Sequence, residues 1–599
     1  MIRALLAGLL ALGSPNLVAQ SDAIRTIAEQ SGYQRTGRYA EVAELCARFV
    51  IQYPTAVRCE SFGTSPEGRQ MQLMVVSRSG ALTAAQARQQ QIPVLLFQGG
   101  IHSGEIDGKD AGFLAIRQML DGEAAPGALE KTVILFVPVF NVDGHERFGA
   151  WNRPNQRGPE EMGWRTTAQN YNLNRDYIKA DAPEMQHMLR LLNRWDPIAF
   201  ADLHATNGAQ FEHDISIMVE PNHAGVSAMR EAGRKLRDKV MDDLREQGSL
   251  PVPFYPSFVV HDDPTSGFRD SAGQPRFSLS YVGLRNRFSM LVETHSWKEY
   301  PVRVQITRNT IVSLTALTAV EGKNWLGLAL AADREAAQLA GKAVPIAYAA
   351  SDQSREIEFR GYAYTRSPSE VSGGLMTRYD ESTPQVWRIP LRDDVVPSRS
   401  TKLPAHAYVV PAALAETIGD KLKLHDIRYE VVTDSHEEVP AFAYTATKVT
   451  PAQQSFEGRQ MLTVEGTWAA QNTQISAGSL LIPVNGNNGY LLAAILDPDA
   501  PDSLLAWGFF NNHFEGKEYM EPYVAEAVAR QMLADDPAIA AAFNNKLAND
   551  PKFAANPSAR LNFFYRLHSS WDTRRNVYPV LRLDQPLQAK AKPDVGSGG

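Results

Sequence analysis

Only two cysteines, Cys46 and Cys59, occur in the chain. They cannot build a thiolate metal site on their own. Positive charge is not in excess either: the formal net charge is -7, which gives no basic stripe for nucleic acid and no polybasic membrane patch. Beyond the first twenty residues no apolar run reaches bilayer-spanning length. There is no G-x-S-x-G elbow, so a serine hydrolase is disfavoured. There is no H-E-x-x-H, because "HEEVP" after Ser435 lacks the second histidine. No P-loop and no internal repeat occur. What remains is an ordinary globular composition, 44% apolar and 21% charged over 599 residues, too long for one core and expected to form two or three domains.

The first residues, "MIRALLAGLLALGSPNLVAQ", combine a basic start at Arg3, an apolar run from Ala4 to Leu12 and small residues at the end. This pattern is a secretory signal peptide over residues 1–19, and the mature chain is expected outside the cytoplasm. No cysteine follows closely enough for a lipid anchor. In an exported chain Cys46 and Cys59 could pair or stay as two buried thiols, and their spacing leaves both readings open.

From about Thr55 the pattern alternates strands and helices. "AVRCESFG", "RQMQLMVVSRSG" and "IPVLLFQGG" read as strands, and "KDAGFLAIRQML" has helical spacing. "KTVILFVPVFN" follows as a strand, then the amphipathic helix "PEMQHMLRLLNRW", then the strands "PIAFADLHA" and "RFSMLVETHS". The expected fold is α/β: a mixed, mainly parallel sheet with helices on both faces, whose ligands gather beyond the carboxyl ends of the strands. A long helical stretch closes this catalytic unit near Gly341, giving 20–341. Residues 342–445 read as a β-rich accessory region, 446–588 as a mixed α+β region, and 589–599 as a disordered tail.

The chemistry lies at three strand ends. "QGGIHSGEIDGKDAG" (Gln98 to Gly112) presents His102 and Glu105 in a glycine-rich turn, where two side chains can converge without backbone crowding. An isolated H-x-x-E is weak. "IAFADLHATNG" adds His204 at the end of another apolar strand. Two imidazoles and one carboxylate suit zinc and leave a fourth position for water, the catalytic pattern. "SMLVETHS" then places Glu293 after apolar residues, where a carboxylate is costly without a task or a partner. Its role would be general acid/base; the bland alternative is an ion pair with Arg285 or Arg287. Between these strands, "GWRTTAQNYNLNRDY" offers Asn174 and Arg175, and guanidinium binds carboxylate with two prongs.

The ordered set "HSGE", "PVFNVDGHERF", "NLNRD", "DLHATNG" and "LVETHS" resembles the zinc carboxypeptidase family of the carboxypeptidase A type, over roughly residues 53–318. The His, Glu, His zinc set is the known one of carboxypeptidase A. The resemblance implies one Zn2+ per chain held by His102, Glu105 and His204, Glu293 as general acid/base, and Asn174 with Arg175 as holders of the substrate's terminal carboxylate. It also implies a peptide or protein substrate. Three positions depart from the family. Asn172 stands where the digestive enzymes have an aspartate behind the first zinc histidine. Arg165, Arg157 and Arg153 compete for the carbonyl-polarising arginine, and Tyr281 and Tyr255 for the mobile tyrosine. Competing functions are a zinc amidase or deacylase, a peptidoglycan stem-peptide hydrolase, and a non-catalytic peptide-binding domain. Neither the preferred C-terminal side chain nor the oligomeric state is legible.

Overall fold

A computed structural model describes residues 24–588. The signal peptide and the tail read from the sequence lie outside these residues. Nine strands belong to or border the catalytic half: β1 (Val57–Thr64), β2 (Gln70–Val76), β3 (Val94–Gly99), β4 (Val133–Val137), β5 (Ala199–Thr206), β6 (Ile215–Glu220), β7 (Pro251–Val252), β8 (Phe268–Arg269) and β9 (Phe288–His295). All but β8 form one sheet in the order β1-β2-β4-β3-β5-β9-β6-β7. The pairings β4-β3, β3-β5, β5-β9 and β6-β7 are parallel, and β1-β2, β2-β4 and β9-β6 are antiparallel. The fold is thus the mixed α/β sheet with helices that the strand–helix alternation implied.

Every residue of β3, β4, β5 and β6 is buried, so both faces are covered, as continuous apolar strands require. The helix Pro183–Trp195 shows how the sequence builds this. Pro183 opens it, Met185, Met188, Leu189 and Leu192 fall on one buried stripe, and Asp196 in the left-handed region ends it just before β5. The long helix that closes this unit spans Tyr300–Ala336. Its first turns carry Tyr300 and Arg303, both buried polar groups that an apolar template does not register.

Cys46 and Cys59 form a disulfide between the helix Tyr39–Gln52 and β1. The helix buries Val42, Leu45, Cys46 and Phe49, the spacing that turns Cys46 inward. Replacing both cysteines by serine is expected to cost about 2–4 kcal/mol of stability. A lower Tm with unchanged kcat would show it, and reduction should add the mass of two hydrogens.

Beyond residue 342 the chain is mostly strand, then mixed. Ala343–Ala350 pairs with Val395–Lys402, and the hairpin Arg355–Pro368/Leu375–Arg392 adds to β8 through Leu391↔Phe268 and Arg392↔Arg269. A six-stranded sheet contains His436–Pro451, which runs through position 445, so one sheet serves both C-terminal regions read from the sequence. The main core cluster runs from Ile24 to Val580 and includes residues of both the catalytic half and the C-terminal regions. The C-terminal part is packed onto the N-terminal half.

Candidate active site

β3 and β5 are parallel neighbours, with Gly99 opposite Leu203 and Gln98 opposite Asp202. Their carboxyl ends therefore deliver His102, Glu105 and His204 to one rim. Gly100 has φ 59, a conformation that the turn out of β3 needs and that side chains disfavour. Gly108, in the helix Asp107–Leu120, packs so closely that a Cβ would lie 2.7 Å from the Cβ of Leu203. That close approach brings Glu105 next to His204.

His102 Nδ1 lies 3.0 Å from Glu105 Oε1, and His204 Nδ1 lies 3.0 Å from Glu105 Oε2. One ligand atom from each residue can be chosen with all three within 4.8 Å of one another. The far nitrogens face acceptors: His102 Nε2 is 3.1 Å from Asn172 Oδ1, and His204 Nε2 is 3.0 Å from Asp202 Oδ2. An imidazole anchored at Nε2 keeps Nδ1 free to ligate. The neutral acceptor Asn172 thus stands behind the first histidine, and a charged one behind the second. Asp202 is fully buried and itself receives Gln98 Nε2 at 2.8 Å and Ser278 Oγ at 2.6 Å. The donor set, two imidazoles each backed by a polar oxygen about 3 Å away and a carboxylate, fits a catalytic zinc.

Electrostatics separate the two glutamates. Burial alone would raise Glu105, but Arg153 and His102 outweigh it and hold the carboxyl well below its ordinary value. Arg153 Nη1 is 2.7 Å and Arg165 Nη1 3.2 Å from Glu105 Oε1. Burial pushes Glu293 up to about 8; the positive His204 opposes this and Glu105 adds to it. Glu293 sits opposite His204 in the β5-β9 register. Neither arginine of the bland alternative pairs with it: Arg287 binds Asp196 and Asp333, and Arg285 binds Asn193. A carboxyl poised near neutrality can both accept and return a proton.

These residues line one cavity of about 360 Å³, which also contains Arg153, Arg165, Asn174, Arg175 and Tyr255. Arg175 lies 4.7 Å over the ring of Phe277 and donates Nη1 to Asn174 O at 2.8 Å. Among the described residues no carboxylate pairs with it. Burial, then the neighbouring Arg165, lower its pKa, and the charge of Glu457 opposes them. Asn174 Oδ1 is buried without a hydrogen-bond partner.

The remaining candidates divide cleanly. Arg157 turns away, gripping Glu381 at 2.7 Å and stacking 4.3 Å from Trp297, whereas Arg153 and Arg165 both face the site. Tyr281 is buried against His425 at 2.9 Å, whereas Tyr255 lines the cavity, a neutral phenol pushed up to about 12 by burial and by Glu293. Sequence reasoning passed over Asp202, although a charged residue two before His204 in an apolar strand shares its face. It also passed over the buried network beneath Glu293. There Thr294 Oγ1 donates to Asp107 Oδ2 at 2.9 Å, and Arg303 Nε to the same oxygen at 2.9 Å. No local pattern joins residues 107, 294 and 303.

Sheet and rim together define a metal-dependent hydrolase on an α/β scaffold. Residues 42–224 match the zinc carboxypeptidase family. That segment is similar to a zinc carboxypeptidase domain, and with its ligand set the enzyme is a zinc metallopeptidase. The match includes His102, Glu105, Asn174, Arg175 and His204 and ends before β9. The chain is similar to carboxypeptidase 2 of Trichophyton tonsurans, 23% identical over 461 residues, 74% of this chain and 78% of the relative. Carboxypeptidase 2 of Trichophyton equinum matches equally, at 23% over 461 residues. Among solved structures, carboxypeptidase A from Helicoverpa armigera superposes with a TM-score of 0.34 at 15% identity, covering 50% of this chain and 75% of that one.

Proposed function

We propose that the protein removes single residues from the free C-termini of peptides or proteins. His102, Glu105 and His204 would hold one zinc ion per chain, which when bound polarises the scissile carbonyl and makes water acidic. Asn174 and Arg175 bind the terminal carboxylate and thereby place the last peptide bond against Glu293. Glu293 takes the proton of the attacking water and hands it to the leaving amine. Arg153 and Arg165, both beside Glu105, are the two arginines available to the carbonyl oxygen, and Tyr255 adds a phenolic donor. Export to an oxidising compartment is part of this reading, supported by the Cys46–Cys59 bridge. Among the described residues no helix is long and apolar enough to cross a membrane.

The observation that carries the proposal is the guanidinium of Arg175, without an acidic partner in the cavity that holds the ligand triad. An amidated C-terminus lacks the charge that Arg175 would pair with. Leaving that contact unmade costs about 2–5 kcal/mol, thirtyfold to several thousandfold in kcat/KM. Peptides with free termini are therefore expected to be cut far faster than their amides, and Arg175→Ala should erase most of the difference. Equal cleavage of both, or internal cuts appearing first, would assign the site to an amidase or endopeptidase instead.

A further inference from the structure

The C-terminal region touches the carboxylate-binding side of the cavity at two places. The first is the turn Phe456–Arg459. Glu457 and Gly458 both have left-handed backbones, φ 50 and 77, and Phe456 and Arg459 exchange backbone hydrogen bonds at 2.8 and 3.1 Å. This is a tight hairpin turn with a defined shape. Arg459 anchors it to the catalytic half through Asp181, at 2.6 and 2.8 Å. At its tip Glu457 Oε2 accepts the backbone N–H of Asn172 at 3.0 Å. Asn172 in turn accepts the N–H of Asn174 on Oδ1 at 3.1 Å, with Arg175 next in the chain.

The second place is Asp502, fully buried. Its carboxylate accepts the backbone N–H of Arg276 at 2.7 Å and the Nε–H of the same residue at 2.9 Å. The Arg276 guanidinium also lies 4.8 Å from the ring centre of Trp507 and 5.4 Å from that of Phe456. The two residues that follow are functional in position. Phe277 is the surface on which Arg175 lies, and Ser278 holds Asp202 behind His204.

We propose that Glu457 and Asp502 are positioning residues that aim Arg175 at the substrate's terminal carboxylate, an inference that rests on the carboxypeptidase reading above. Arg175 has a long stem and no carboxylate at hydrogen-bond distance, Glu457 acting on it only through space, so its aim is set by its two supports, the Asn172–Asn174 turn and the Phe277 ring. Each support is tied to the C-terminal region by one carboxylate. A guanidinium held in place before substrate arrives loses less conformational freedom on binding, and that gain appears in affinity rather than in the chemical step. The C-terminal region is, in this view, the back wall of the carboxylate clamp.

The test compares full-length, zinc-loaded wild type with Glu457→Ala, Glu457→Gln and Asp502→Asn on matched peptides with free and amidated C-termini. Glu457→Ala removes the acceptor for Asn172 N–H, whereas Glu457→Gln keeps an acceptor oxygen. The preference for free termini is expected to fall about three- to tenfold in Glu457→Ala and Asp502→Asn, the scale of one lost hydrogen bond. The fall should come through a higher KM at saturating zinc, with kcat held and the preference recovered in Glu457→Gln; Asn172 also backs His102 Nε2 at 3.1 Å, so only fully zinc-loaded samples are compared. A role confined to docking the two halves would lower Tm and leave the KM ratio alone. Unchanged preference in both Glu457→Ala and Asp502→Asn, against a discriminating wild type, overturns the inference while leaving the carboxypeptidase reading intact. A wild type that does not discriminate overturns the clamp itself and this inference with it.

Discussion

Glu293→Gln is expected to keep one zinc per chain and to lower kcat about 10²–10⁴-fold, the range a positioned general acid/base contributes. The amide has the size of the carboxyl but cannot accept the proton of the attacking water. The position is buried at 7% exposure and opposite His204 in the β5-β9 register, so an isosteric change disturbs neither strand. Stability should move the other way. With the zinc chelated, a carboxyl raised to about 8 by burial holds its proton in the folded state, whereas the unfolded chain releases it near 4.5. The folded state then binds more protons between those two values, so the stability of the chelated wild type falls as pH rises through that window. The glutamine variant lacks this slope. Thermal melts of the chelated proteins at both ends of the window read it directly. Near-normal turnover in Glu293→Gln would make the residue structural and remove the mechanism.

His204→Ala is expected to weaken zinc binding by more than about 100-fold, the upper loss seen when only an outer partner of a ligand is removed. Turnover should disappear with the metal. The sheet should persist, because β5 is held by buried apolar neighbours, Phe200, Ala201 and Leu203, on both sides of the histidine's face. Some loss of stability is expected all the same. Asp202 would keep Gln98 and Ser278 but lose the imidazole 3.0 Å away, leaving a buried carboxylate less well compensated at a cost of about 1–3 kcal/mol. Elemental analysis after dialysis against a weak chelator decides the matter, and undiminished zinc in the variant would overturn the assignment of the ligands. Circular dichroism of the same sample separates metal loss from unfolding.

The amino-acid sequence by itself determined the parts of this protein that repeat locally. Apolar runs of strand length, the stripe of the helix Pro183–Trp195, and glycines after β3 are decided within a few residues, because side-chain periodicity and backbone freedom are local properties. The candidate residues His102, Glu105, His204 and Glu293 stand out in the sequence for the same reason: each is a polar group at the end of an apolar strand, where burial without a task is unfavourable.

The tertiary structure alone decided everything that depends on which distant residues meet. It joined Cys46 to Cys59, set Arg153 and Arg165 on Glu105, turned Arg157 away to Glu381, and selected Tyr255 over Tyr281 for the cavity. It also brought Glu457 and Asp502 to the Arg175 side of the cavity from more than two hundred residues away in the chain, as the separations of 285 and 226 residues in their contacts record. A guanidinium reads alike in any loop until packing specifies its neighbours, and those neighbours are chosen by long-range burial, which has no local period to betray it.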